Sequence, residues 1–444
     1  MTGSSFAFVL GCAAFATGCA ALHHLDEYTT ADRATAGEGP SPAPSDAPED
    51  AATGAAPHAC RTNADCSAGF ATGGDRALDR VSVPSICVTA TGACAPLASP
   101  ECPRVVCDYT SDEAVVVGTV LGTGDDGSSL ERAALLAAEE IQTVAADGLP
   151  PFGGQGSPRP VVIVGCHGAG DALGATRHLA HDLHVPAIVG PTRPEDVVEV
   201  TQQVTAEAGT LLMTPAALAS SISDLPDNDL TWRVVPSDNQ RAKLVIEQMK
   251  ELEGVLRATR GVTTVKLGVV HRSDALGLSA RDSIRDKLIL NGRFLTDAAN
   301  AANVSLDAYD PADGAAQEAI VGRYAGAFRP DLVFLTAPEQ VSSLLVPLEK
   351  ALTAARVVQR PYYLCTDALK TDALLEALAS SDVPADIRRR VRGVGLRPDA
   401  ESAAVLADVR TAYAARHGAA PDASAAAAYD AMAAIVLALA SRPE

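Results

Sequence analysis

The sequence predicts an α/β protein with two doubly wound lobes, each built on a mainly parallel sheet. From Glu113 onward, short continuous apolar runs alternate with segments of helical periodicity, and this pattern fills two consecutive blocks. Apolar residues make up 47% of the chain and aromatic residues only 4%, so small aliphatic side chains must build the cores. This composition is typical of helices packed on a buried parallel sheet.

The N-terminus has the pattern of an export signal, residues 1–19. Its apolar run at 6–16 is too short to span a bilayer but suits the central region of a signal peptide. The segment ATGC resembles a lipobox, which predicts cleavage before Cys19 and lipidation of its thiol. An ordinary secretory signal is the alternative, because no basic residue precedes the apolar run. Both interpretations predict a periplasmic protein; lipidation adds a membrane anchor, and Ala20 favours the outer membrane.

Two segments of unusual composition separate the signal from the first block. Residues 20–57 are rich in Ala, Pro, Ser, Gly and acidic residues, which predicts a disordered tether. Residues 58–112 are rich in cysteine, which predicts a disulfide framework formed in an oxidising compartment. A zinc site is the alternative, but the spacings lack paired C-x-x-C knuckles. The disulfide candidates are Cys60, Cys66, Cys87, Cys94, Cys102 and Cys107.

The first block, residues 113–232, predicts the first lobe. Apolar runs predict strands at 114–121, 159–165, 185–190 and 210–213. Ser128 and Glu131 predict a capping box that starts a helix over 128–145. Further helices are predicted near 171–183 and 194–208.

The second block, residues 233–394, predicts the second lobe, and residues 395–444 predict helices that return to the first. Strands are predicted at 265–270, 304–309, 331–335 and 361–365. Helices are predicted to about 256, over 276–290, to 328 and to 354. Ligands of such sheets bind outside the carboxyl ends of the strands, so the cleft between the lobes is the expected site. After the N-terminal signal, no apolar run is long enough to predict a transmembrane helix.

Several strings in these blocks resemble the leucine/isoleucine/valine-binding protein family, in family order, over roughly residues 114–440. They are VPAIVGPTRPEDVVEVTQQVTAEAGTLLMTPAAL, WRVVPSDNQ, KLGVVHRSDALGLS, RPDLVFLTAPEQ and AAAYDAMAAIVLAL. The resemblance implies a type I periplasmic-binding fold whose lobes close around a solute. It also implies a small-molecule ligand, an amino acid or a related compound, that is passed to the membrane subunits of an ABC-type importer.

The resemblance implies ligand contacts in both lobes. These are Thr192, Arg193, Ala216, Ala217, Leu218, Leu276, Ala337 and Asp367. The backbone N–H groups of the alanine pair would hold a carboxylate, and Asp367 would pair with a ligand amine. Two family hydroxyls and one aromatic residue are replaced, among them by Leu218 and Leu276. We therefore expect a ligand that is less polar than a branched-chain amino acid or carries different groups.

The crossovers between lobes resemble those of the family in two places, at 232–236 and at 393–396. The family's third crossover segment is not found after the last helix, which leaves two interpretations: a truncated product, or a hinge of two strands. We expect a monomer. A sensor or interaction lipoprotein on the same fold is the alternative to transport, since the cysteine-rich segment is unnecessary for solute capture.

Catalysis, cofactors, resident metals and nucleic acid are not predicted. The net charge of −20 disfavours a phosphate-binding surface, and no G-x-S-x-G, H-E-x-x-H or P-loop motif is present. A hydrolase on this scaffold would require a nucleophile or a base–acid pair in the cleft.

Three further signals have plain structural explanations. The G-x-G-x-x-G run at 122–127 contains two aspartates, so a cleft loop is favoured over a dinucleotide site. His178, His181 and His184 are interpreted as a solvated helix face, with a metal site as the alternative. Cys166 and Cys365 are interpreted as buried free thiols.

Overall fold

A computed structural model gives the structure of the chain. Residues 60–396 and 421–444 form one compact unit, which contains both large sheets. A second unit includes residues 397–420. The described residues are 59–67, 84–122, 128–145, 148–168, 171–395, 400–421 and 423–441. The predicted signal peptide, the lipidated Cys19 and the tether therefore lie outside the described residues.

The cysteine-rich segment contains helix α1 (Asn63–Ser67) and a hairpin of β1 (Ser85–Val88) and β2 (Ala93–Pro96). Among the described residues, three disulfides join Cys60 to Cys87, Cys66 to Cys94 and Cys102 to Cys166. The sulfur atoms of Cys60, Cys66 and Cys87 lie within 4.8 Å of one another, a spacing that would also suit a metal ion. Their thiolates are consumed by disulfide bonds here, so they are not available as ligands.

Two predictions about cysteines are wrong. Cys102 does not pair within the segment, and Cys166 is not a free thiol, because these two bond to each other. The cause is an antiparallel edge strand, β3 (Arg104–Val106), which pairs with the strand that ends at Cys166 and brings the two sulfur atoms together. Cys107 is exposed and belongs to none of the three disulfides. Cys365 is buried and unpaired, as predicted.

The first large sheet has the strand order β3-β5-β4-β6-β7-β8. All neighbours are parallel except β3 and β5. The four predicted strands form, since their aliphatic side chains are buried between helices on both faces. The strands after β3 are β4 (Val115–Val120), β5 (Val161–Cys166), β6 (Ala187–Val189), β7 (Leu211–Thr214) and β8 (Thr231–Arg233).

The helices of this half begin close to the predicted positions. The Ser128 hydroxyl accepts from the backbone N–H of Glu131 at 3.1 Å and caps α2. The Glu131 carboxylate does not complete the capping box, because it turns inward and lies 3.6 Å from Arg104. The helices are α2 (Ser129–Val144), α3 (Ala172–Arg177) with a π-turn at His178–Asp182, α4 (Pro194–Val200) with a π-turn at Thr201–Thr205, and α5 (Ala206–Ala208). Ala133 is among the buried residues of α2.

The second large sheet is entirely parallel, in the order β12-β9-β13-β14-β15. All four predicted strands of this block form, and β15 adds an edge strand. Aliphatic clusters cover both faces of this sheet. The strands are β9 (Leu267–Arg272), β12 (Val304–Tyr309), β13 (Leu332–Leu335), β14 (Tyr362–Cys365) and β15 (Val391–Gly393), and a separate hairpin joins β10 (Ile289–Leu290) to β11 (Arg293–Phe294).

The helix after β9 is shorter than predicted. It ends at Arg285 and not at residue 290, because Asn291 and Gly292 adopt positive φ and turn the chain into the β10–β11 hairpin. The helices are α6 (Asp238–Arg260), α7 (Ala275–Arg285), α8 (Gly314–Ala325), α9 (Val346–Ala354) after a π-turn at Val341–Leu345, α10 (Asp372–Ala379), α11 (Ile387–Arg390), α12 (Ala400–His417) and α13 (Ala423–Ser441). Helix α12 belongs to the second compact unit.

The C-terminal helix α13 is long and apolar enough to cross a membrane by length and composition, although the sequence predicts no such helix. It packs on α2, where the Tyr429 hydroxyl donates to Glu140 at 2.6 Å. Arg159 donates to the carbonyl of Leu439 at 2.9 Å. These contacts, and the buried side chains along one face, are those of a helix that packs on the core of the protein.

The cysteine-rich segment is joined to the first sheet in four ways. Besides β3 and the Cys102–Cys166 disulfide, Leu97 is fully buried in the same apolar cluster as the first-lobe strands and α3. The His178 ring hydrogen-bonds the Leu97 carbonyl at 3.1 Å. The interpretation of His178 as solvated is therefore wrong, whereas His181 and His184 are exposed. The segment is a structural extension of the first lobe.

Candidate functional site

The two large sheets share one strand order, and that order locates the site. Within each, the parallel strands follow second-first-third-fourth-fifth along the chain. Connections leave in opposite directions between β4 and β6 and between β9 and β13, and ligands of doubly wound sheets bind at such points. The predicted contacts all follow carboxyl ends: Thr192 and Arg193 after β6, Ala216, Ala217 and Leu218 after β7, Leu276 after β9, Ala337 after β13, and Asp367 after β14.

The loop after β6 is pressed against the end of β4. Gly190 has φ +106°, and a Cβ there would lie 2.4 Å from the carbonyl oxygen of Val120. Only glycine fits this backbone and this approach. The Gly190–Pro191 bond that follows is cis, and the loop then presents Thr192, half-buried, and Arg193, which is exposed.

One of the two backbone N–H groups of the alanine pair after β7 already donates a hydrogen bond within the protein. The N–H of Ala217 donates to the Thr214 hydroxyl at 3.2 Å, and that hydroxyl donates to the carbonyl of Pro191 at 2.6 Å. Among the described residues, the N–H of Ala216 has no hydrogen-bond partner. One N–H group of the pair therefore remains for a ligand oxygen, and Thr214 fixes the two loops to each other.

Asp367, the predicted partner of a ligand amine, already has a cationic partner. It forms an ion pair with Arg241 in the first turn of α6. The Arg241 side chain is largely buried and lies 3.6 Å from a second carboxylate, Asp238. Burial lowers the pKa of Arg241 and raises the pKa of Asp238, against the hydrogen bond from Ser279 to that carboxylate. A ligand amine would therefore have to share Asp367 with Arg241.

A second group of charges follows β9 and β13. Arg272 donates to Asp274 at 2.7 Å and lies 3.8 Å from Glu339. Glu339 accepts from the hydroxyl of Tyr309 at 2.8 Å. Burial, together with Glu339, raises the pKa of this tyrosine, which therefore stays protonated as a donor. The three charged side chains remain about one-third exposed, so water or a ligand can reach them.

Of the two apolar residues predicted beside these charges, Leu276 is half-buried and Ala337 is not accessible. Ala337 is buried, and its N–H donates to the side-chain oxygen of Gln340 at 3.0 Å. Leu276 precedes Gly277, where a Cβ would lie 2.2 Å from the Arg272 carbonyl oxygen. The helix α7 therefore starts directly against the end of β9, and this approach places Leu276 next to Arg272.

The two lobes meet beside these loops. The backbone N–H of Ser220, which follows the alanine pair, donates to the Ser279 hydroxyl on α7 at 3.1 Å. Arg193 hydrogen-bonds Glu195 at 2.7 Å, and this bond raises the pKa of its guanidinium. The charge of Asp274, on the other lobe, acts in the same direction. Arg193 thus lies within electrostatic reach of the Arg272 group across the cleft.

Sequence reasoning missed Arg241, Arg272 and Glu339. The last two are the first charged residues at or after the ends of predicted strands, which is a signal that could have identified them. Arg241 follows no strand, and its position opposite Asp367 depends on how α6 packs on β14. Of the dinucleotide-like run, only Gly122 is among the described residues.

Comparisons at the sequence level give no match, whether with family models or with curated proteins. Solved structures do match. The branched-chain amino acid transporter substrate-binding protein of Streptococcus pneumoniae, in complex with isoleucine, has a TM-score of 0.52 at 14% identity, over 73% of this chain and 83% of that one. An ABC transporter solute-binding protein of Rhodopseudomonas palustris, in complex with 3,4-dihydroxybenzoic acid, has a TM-score of 0.50 at 15% identity, over 74% and 81%.

The fold therefore agrees with the expectation from the sequence strings. Both neighbours are binding proteins of transporters, and the matched regions cover about three quarters of this chain. The cysteine-rich edge strand β3 and its disulfide are features of the first lobe that the sequence resemblance did not predict. The chain has the type I periplasmic-binding fold, which confirms the fold implied by the resemblance.

Proposed function

We propose that this chain is an extracytoplasmic solute-binding protein that captures a small molecule, amino-acid-like or related, between lobes formed by 113–232 with 395–444 and by 233–394. The observation that carries the proposal is that Arg193 and Arg272 lie at or after the carboxyl ends of parallel strands, while Arg241 pairs with Asp367, which does so too. The order of the parallel strands is the same in both sheets. Charges in such a cleft orient a polar ligand.

The remaining parts of the proposal concern location and partners. Three disulfides are typical of an oxidising compartment, which supports export. We propose a periplasmic lipoprotein anchored through Cys19, with the outer membrane favoured, that acts as a monomer without catalysis. It would deliver its solute to an ABC-type importer. The alternative function is that of a sensor, and its motive is that solute capture does not need the cysteine-rich segment. Strand β3 of that segment pairs with β5 at the edge of the first sheet, so the segment has a structural role, which weakens this motive.

A thermal-shift screen of the disulfide-intact chain tests the proposal. The panel contains amino acids, short peptides, sugars and aromatic acids. A ligand at a hundredfold excess over its Kd stabilises the folded state by about 2.7 kcal/mol. We expect a hit that is abolished by Asp367→Ala.

The matched control is Asp382→Ala, which removes an aspartate from an exposed ion pair with Lys350. This variant should retain the shift. A hit that survives Asp367→Ala would place the ligand elsewhere, and no shift across a well-folded sample would favour the sensor alternative.

A further inference from the structure

A cavity lies at the end of the second sheet that faces away from the carboxyl ends of its strands. Its walls come from residues 329–331, just before β13, and from residues 355–359 and Pro361, just before β14. Leu348 and Leu352 of α9 lie beneath it, and both are buried. The cavity volume is about 340 Å³, within the range of small-molecule sites. It is therefore separate from the cleft.

The charges around this cavity are mostly positive. Arg329 and Arg356 line it, both are exposed, and neither forms an ion pair with any described residue. Lys266 stands beside Arg329, since its ammonium donates to the carbonyl of Phe328 at 3.2 Å. One carboxylate, Asp331, also lines the cavity, and its Oδ2 already accepts from the Lys266 N–H at 2.9 Å.

The next carboxylate inward does not neutralise these cations. Glu349 is fully buried and already accepts from Arg390 and Arg360. Arg260 adds a further cation nearby, where it donates to the carbonyl of Arg360 at 2.8 Å. On a chain of net charge −20, this is a local excess of positive charge beside a cavity. An anion is the ligand that such a surface attracts.

We propose that this cavity is a second small-molecule site, which binds organic acids with a short apolar body. The guanidinium groups of Arg329 and Arg356 hold the acid group, because guanidinium matches carboxylate and phosphate with paired hydrogen bonds. The apolar body covers Val357 and Val358, of which Val358 is 93% exposed without a ligand. Covering this valine removes apolar surface from water.

The backbone at the two arginines supports this assignment. Arg329 has φ +47° and Arg356 has φ +52°, a region that glycine or asparagine adopts more easily. Arginine therefore stands at both positions in spite of the local backbone preference. A role for the guanidinium groups explains this choice of residue.

Methyl-detected NMR of the disulfide-intact chain tests the site, with sodium hexanoate as the probe and hexanol as its uncharged counterpart. At millimolar hexanoate we expect shifts in the methyl signals of Leu352, Val357 and Val358, and none with hexanol. In the double variant Arg329→Gln/Arg356→Gln the affinity should fall at least about tenfold, the equivalent of losing one charge-assisted bond. Both side chains are exposed, so the variant should fold normally, which circular dichroism checks.

A matched variant, Arg177→Gln/Arg293→Gln, removes the same charge from exposed arginines on other elements. It should bind hexanoate as the native chain does. An equal loss in this variant would mean diffuse attraction and would overturn the site. Missing methyl shifts, or unchanged affinity in the Arg329/Arg356 variant, would overturn it as well. Inorganic phosphate binding as tightly as hexanoate would overturn the assignment to organic acids. None of these outcomes depends on the cleft.

Discussion

The buried carboxylate of Glu349 in α9 organises a charged cluster in the second lobe. It accepts from both terminal nitrogens of Arg390, at 2.8 and 2.9 Å, from Arg360 at 2.9 Å and from the Tyr363 hydroxyl at 2.7 Å. Its side chain is fully buried and that of Arg390 is 5% exposed. Arg390 also pairs with Asp386 at 2.8 Å, but that carboxylate is more than half exposed. Removing Glu349 therefore leaves the buried charge of Arg390 poorly compensated, which costs about 3–5 kcal/mol.

We therefore expect Glu349→Ala to lose about 3–5 kcal/mol of unfolding free energy, or about 6–20 °C in Tm for a lobe of this size. The double variant Glu349→Met/Arg390→Met removes the buried pair. It leaves the Tyr363 hydroxyl without its acceptor and Arg360 without its carboxylate, so at least about 1–3 kcal/mol of the loss should remain. Urea unfolding followed by circular dichroism, and by the fluorescence of the single tryptophan, measures each value.

The neighbouring residue Lys350 gives the control. It pairs with Asp382 at 2.8 Å, but both side chains are more than half exposed. Lys350→Ala should therefore cost no more than about 1 kcal/mol. If Glu349→Ala costs as little as this control, the buried pair does not stabilise the lobe and the reasoning is refuted. The same holds if the double variant is no more stable than the single one.

Three further predictions concern other parts of the fold. Burial raises the pKa of Glu131 in spite of its arginine neighbour. The contribution of this carboxyl group to the free energy of unfolding is therefore fully present below its ordinary pKa and is lost as the pH rises through the raised value. Glu131→Gln should then be more stable than the native chain at about pH 7 and not at about pH 4, and equal differences at both would contradict this. Replacing Cys102 and Cys166 with alanine opens a loop with a sequence separation of 64, which should cost about 4 kcal/mol in urea unfolding while the other disulfides persist. Gly254→Ala, in the open interior of α6, should stabilise by about 0.8 kcal/mol, whereas Gly277→Ala should destabilise because its Cβ has no room; the same sign for both would be a contradiction.

Strand positions could be predicted because buried parallel strands have a local signature. Runs such as VVIVG and DLVFL are apolar on both faces, as expected for strands that are covered on both sides. Helix ends were less predictable. The helix after β9 stops at Arg285 because the following residues pair as a hairpin, and pairing between β10 and β11 is not visible in helical periodicity.

For the site residues, the sequence could predict which edge of a sheet they occupy but not which side chains they contact. A residue that follows a parallel strand must lie at the carboxyl edge, so Thr192, Leu276 and Asp367 could be assigned to the cleft loops. Their partners could not. Asp367 pairs with Arg241, more than a hundred residues earlier in the chain, and the pair depends on the packing of α6.

The sequence by itself determined the α/β class, the two blocks, the succession of strands and helices along the chain and the resemblance that implied a cleft. These follow from short-range patterns of apolar residues, turns and caps, which act over one or two elements. Only the tertiary structure decided that Cys102 bonds to Cys166, that His178 is buried, and that a cationic cavity lies at the far end of the second sheet. Each depends on which distant segments pack together, because sulfur bonding, burial and local charge are properties of neighbours in space and not of neighbours in sequence.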